Sequence, residues 1–130
     1  MGLLVLIQAA GCKSPEDIGF DASALFTAPM AAIGVDTKTT PCDERIAMYA
    51  EFIGQEESKA RRSALADKVS GAMEDDGFDE GFNRMADISQ NIFKAFEKEC
   101  PEQTPKAREM ALGVAKELHI ESKVAWLTEK

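Results

Sequence analysis

The sequence is poor in the residues that most often carry chemistry: one histidine, one tryptophan, one tyrosine and three cysteines in 130 residues. A lone histidine, His119, and the absence of any Cys-x-x-Cys spacing leave too few nitrogen and sulfur ligands for a zinc site, so no metal is expected. No apolar run approaches the ~20 residues of a membrane-spanning helix. No block of lysine or arginine occurs, and 15 basic against 23 acidic residues give a net charge of −8. Nucleic acid is thereby disfavoured as a partner, because phosphate contacts need clustered cations. Internal repeats and low-complexity tracts are also missing.

What remains is an ordinary globular balance, 45% hydrophobic and 29% charged, in a length that suits one domain. The charge is uneven. Residues 1–80 hold 15 acids and 7 bases, whereas residues 81–130 hold 8 of each. Much of the excess lies in Glu74-Asp75-Asp76-Gly77-Phe78-Asp79-Glu80. A calcium loop started at Asp75 would need an oxygen at its third position, glycine at its sixth and an acid at its twelfth. Those positions hold Gly77, Glu80 and Ala86, so the run reads instead as an acidic connection favoured by the positive end of the next helix.

The amino terminus is a short apolar run, Leu3-Leu4-Val5-Leu6-Ile7, then Gln8-Ala9-Ala10-Gly11-Cys12 and the polar Lys13-Ser14-Pro15. Small residues behind an apolar stretch suit a peptidase that must seat extended backbone. Ala9-Ala10-Gly11-Cys12 resembles the lipobox of bacterial lipoproteins, with Ala9 where that family usually has leucine. The resemblance implies cleavage before Cys12, lipidation of its sulfur (palmitate among the acyl groups) and a mature chain of residues 12–130. With Lys13 in second place, it also implies sorting to the periplasmic face of the outer membrane. The other readings of the run are a buried strand or an ordinary amino-terminal helix. Gly11-Cys12-Lys13-Ser14 is not a phosphate loop, since Cys12 stands where that motif needs glycine directly before Lys-Ser.

Residues 12–40 lack a sustained period, contain Pro15, Gly19, Pro29 and Gly34, and are expected to be an irregular tether that holds a body clear of the membrane. Residues 41–130 are expected to be that body, all-α, a small bundle of four to five helices. Thr40-Pro41 is a start signal, an N-cap hydroxyl followed by proline at the first helical position. Ile46, Tyr49 and Ile53, widened by Met48 and Phe52, form the first stripe up to Gly54. A second helix is expected over 56–74, with Ala60, Ala64, Leu65, Val69, Ala72 and Met73 on one side, ended by Asp76-Gly77. The third has the strongest pattern, Phe78, Phe82, Met85, Ile88, Ile92, Phe93 and Phe96, and stops at Cys100-Pro101. Thr104-Pro105 opens a fourth, with Ala107, Met110, Ala111, Val114 and Leu118, and Ile120, Val124 and Leu127 extend it or make a fifth.

With Cys12 assigned to a lipid, Cys42 and Cys100 form an even pair at two expected helix ends. In an oxidising compartment a bridge between them is favoured, and free buried thiols are the alternative. Cys100 with His119 does not make a nucleophile and base, because no third group is indicated to orient the imidazole. His119 reads as a helix-end residue, and Arg61-Arg62 as a solvated face beside the Glu57–Arg61 pair. These readings lead to a non-catalytic envelope lipoprotein without cofactors, its body a binding or adaptor module for an envelope protein. The alternatives are a periplasmic chaperone-like stress protein, by analogy of architecture, and a cytosolic or phage-encoded interaction protein.

Overall fold

The structure, a computed structural model, describes residues 14–34 and 39–128, so Cys12 and the lipobox-like segment lie outside the described residues. Within them the chain forms five α-helices and no strand. These are α1 (Pro15–Thr27), α2 (Cys42–Gly54), α3 (Glu56–Ala72), α4 (Asp76–Glu99) and α5 (Thr104–Glu117). Short 3-10 turns follow α1 at Ala28–Ala32 and close the chain at Glu121–Lys123 and Ala125–Leu127. None of the described helices is long and apolar enough to cross a membrane.

Within the stretch 12–40 expected to be an irregular tether, Pro15–Thr27 is helical as α1. Pro15 and Gly19, which looked like breakers, each have a place in it. Ser14 caps the helix, its Oγ accepting from the Asp17 amide at 3.2 Å, and Pro15 takes the first helical position, where no amide is needed. Gly19 lies where α1 crosses α4: a Cβ there would overlap the Phe78 carbonyl, and one on Gly81 would overlap the Glu16 carbonyl. Gly19 meeting residue 78 while Gly81 meets residue 16 makes the two helices antiparallel. Only glycine permits so close an approach of backbones. Ile18, Ala22, Phe26, Met30 and Ile33 then enter the core.

The core runs along α4, where Phe78, Phe82, Phe93 and Phe96 are all buried. Ile88 was expected on that stripe but is 47% exposed, and Ser89 is buried in its place. On α3 the buried face is Arg62, Leu65, Ala66, Val69 and Ala72, while Ala60 and Ala64 are exposed, one step round from the expected stripe. α2 begins at Cys42, with Pro41 rather than Thr40 at the cap.

Two arginines expected at the surface, or not singled out, are buried. Arg62 donates from Nη2 to the Ile53 carbonyl at 2.8 Å and from Nε to Glu117, tying the ends of α2 and α5 to α3. A guanidinium at the carbonyl end of α2 also suits that helix's dipole. Arg45, on α2, is the other. At the carboxyl end of α5, His119 adopts φ 63°. The Ile120 amide reaches back to the Ala115 carbonyl at 2.9 Å and the His119 amide to Lys116 at 3.1 Å. This is a Schellman termination with histidine where glycine is usual, and Ile120 drops into the core behind it.

Candidate functional site

Cys42 stands at the first position of α2 and Cys100 caps the end of α4. Their Cα atoms are 5.8 Å apart and their sulfurs are bonded, a geometry consistent with the expected pairing. The two cysteines differ in exposure. Cys42 is half-buried, whereas Cys100 is 1% exposed. The 100–104 turn is fastened to the start of α2: Gln103 Nε2 donates to Asp43 Oδ1 at 3.0 Å, and Thr104 Oγ1 donates to the Cys100 carbonyl at 2.9 Å.

Arg45, one turn after Cys42, is 1% exposed and points at the bridge. Its Nη1 lies 3.3 Å from Cys100 Sγ and its Nη2 3.3 Å from Glu99 Oε1. The guanidinium sits 5.6 Å from the centre of the Phe96 ring, and Nε has no hydrogen-bond partner among the described residues. The sequence did carry a trace of this cluster, since Arg45 is one helical turn from Cys42 and Glu99 adjoins Cys100. One turn further along α2, Tyr49 is fully buried with its hydroxyl likewise unpartnered among the described residues. Burial pushes its phenol above the ordinary range, and the Arg62 charge offsets part of that rise.

A second feature is a groove between α1 and α3. One depression of about 280 Å³ is lined by Leu25, Pro29, Phe52, Gln55 and Arg61. It meets another of about 320 Å³, lined by Asp21, Ala24, Ala64, Leu65 and Lys68, at the shared Leu25 and Arg61. The floor is apolar, and the rim carries the exposed cations Arg61 and Lys68 beside Asp21. Arg61 also forms the expected i,i+4 pair with Glu57, at 2.7 Å.

The remaining candidates have local partners. His119 Nδ1 is 2.8 Å from Ser70 Oγ on α3, so the ring bonds a neighbouring helix instead of a last-turn carbonyl. Asp75 caps α4, accepting from the Gly77 amide at 2.8 Å, and Asp79 pairs with Lys123 at 2.7 Å. No group of three or more potential ligands is gathered among the described residues. Comparison with family models, with curated proteins and with solved structures gives no match for this chain.

Proposed function

We propose that the chain is a small bacterial envelope lipoprotein, anchored through Cys12, whose helical body acts without catalysis as a binding module. The observation that carries the binding half is the α1–α3 groove, an apolar trough edged by Arg61 and Lys68 on a chain of net charge −8. An amphipathic helix with acidic flanks fits that chemistry. Its apolar side chains would enter over Leu25, Phe52 and Leu65, and its carboxylates would meet the two cations. Export is supported by the lipobox-like Ala9-Ala10-Gly11-Cys12 and by the pairing of the other two cysteines.

In this reading the anchor has almost no spacer. Only Lys13 and Ser14 separate Cys12 from the first turn of α1, a reach of roughly 7–10 Å, so the body rests against the headgroups. The test has two arms. Palmitate should label the chain in its native host and be lost in Cys12→Ala; an unlabelled wild-type chain that fractionates with the cytosol sinks the anchor. A photo-crosslinker at Leu25 should trap a protein that one at exposed Lys94 does not, and Arg61→Glu should abolish the product. Equal trapping from both positions removes the groove.

A further inference from the structure

We propose that Cys42–Cys100 is a thiol-exchange site, entered by an external thiol at Cys42, with Cys100 leaving as a thiolate held by Arg45. The substrate class is a small thiol or dithiol.

Direction follows first from access. An attacking sulfur must approach in line with the bond it breaks, and Cys42 is the half-buried partner while Cys100 is 1% exposed. It follows next from charge. Arg45 is a buried cation facing a neutral sulfur at 3.3 Å, which is a weak acceptor, and its Nε is unpartnered among the described residues. Its carboxylate contact among the described residues, Glu99 at 3.3 Å, comes from a side chain 38% exposed. A buried guanidinium with so little compensation gains a full partner when Cys100 becomes an anion.

The opposing groups are identifiable. Glu99 competes for the guanidinium, Asp43 lies in the same first turn but is bonded to Gln103, and the carboxyl end of α4 disfavours an anion at Cys100. That helix end carries the equivalent of about half a charge, whereas Arg45 brings a whole one into contact. The amino end of α2 carries Cys42 at its first position and favours an anion on either sulfur of the pair.

The steps balance. A thiolate RS⁻ attacks Cys42 Sγ; the new S–S bond forms as the protein bridge breaks, and the electron pair goes to Cys100 Sγ. A second thiolate attacks the RS sulfur of this mixed disulfide, RSSR departs, and Cys42 keeps the electron pair and takes a proton from water. Two thiols are oxidised to one disulfide, and the protein gains two electrons.

The experiment uses the chain carrying Cys12→Ser, so that no third thiol interferes, with glutathione as the probe. After brief reaction and acid quench, peptide mapping should place glutathione on Cys42 at least about tenfold over Cys100. An adduct on Cys100, an even split, or a bridge that resists glutathione while an exposed peptide disulfide is cleaved would each overturn the proposal. Cleavage should slow about tenfold or more in Arg45→Gln and be largely restored in Arg45→Lys. An unchanged rate in Arg45→Gln also overturns it. Should Arg45→Gln fail to fold, the thiolate absorbance of reduced Cys42→Ser replaces it: Cys100 should ionise at least about one unit below the ~8.5 of a free thiol, and ionisation at or above that value refutes the arginine's role.

Discussion

Trp126, in the last turn of the chain, stands edge-on to Phe26 of α1, with ring centroids 6.4 Å apart, and to Phe93 of α4 at 5.4 Å. The Ala125–Leu127 turn is thereby seated on α1. Arg108 secures the turn by donating to the Trp126 and Leu127 carbonyls at 3.0 and 3.1 Å. Removing the indole with Trp126→Ala should cost about 3 kcal/mol, measured by urea unfolding followed by circular dichroism. Arg108→Ala should cost about 1–2 kcal/mol, and the fluorescence of Trp126 should shift to the red as the turn loosens.

The α1–α4 crossing makes a sharper contrast. Gly19→Ala and Gly81→Ala each place a methyl into a facing carbonyl, which backbone cannot yield to cheaply, and each should lose about 3 kcal/mol or more. Gly113, inside α5, has open space where a Cβ would go. Gly113→Ala should therefore gain about 0.5–1 kcal/mol, and thermal melts of the three variants in parallel check both signs.

Tyr49 predicts a loss of stability at alkaline pH. Its phenol is held above the ordinary value by burial, so the folded state keeps the proton when the unfolded chain would release it. The contribution is fully present below about pH 10, the unfolded value, and is lost as pH rises from there toward the folded one. Tyr49→Phe removes a hydroxyl without a partner among the described residues. It should be neutral or stabilising by about 1 kcal/mol at pH 7, and should flatten the stability curve above pH 10.

His119 occupies a left-handed position, φ 63°, that a side chain adopts at a cost. His119→Gly should raise stability by about 0.5–1 kcal/mol despite losing the bond to Ser70, and Ser70→Ala should change it by less than about 0.5 kcal/mol. A denaturant series separates the two effects.

The helical class and four of the five α-helices were legible because their apolar residues recur at helical spacing, most clearly from Phe78 to Phe96. α1 was hidden because Pro15, Gly19 and Pro29 signal interruption locally. The place of Gly19 is explained only by Phe78, far along the chain, although Ile18, Ala22 and Phe26 at intervals of four were a visible clue. Arg62 was placed on a solvated face, and Arg45 was passed over, for a related reason. Their carboxylate contacts, Glu99 for Arg45 and Glu117 for Arg62, depend on how α4 and α5 return to α2 and α3. Cys42 and Cys100 could be paired by counting, but the difference in their exposure belongs to the folded arrangement.

The bridge also changes what the chain does under tension. A pull on both ends can straighten α1 before Cys42, and α5 with the closing turns after Cys100. The cysteines are 58 positions apart, so the intervening helices α2, α3 and α4 form a covalent ring that carries no load. Reducing that one bond would release about 200 Å of further contour. Pulled from both ends, the oxidised molecule is a short leash and the reduced one a long leash.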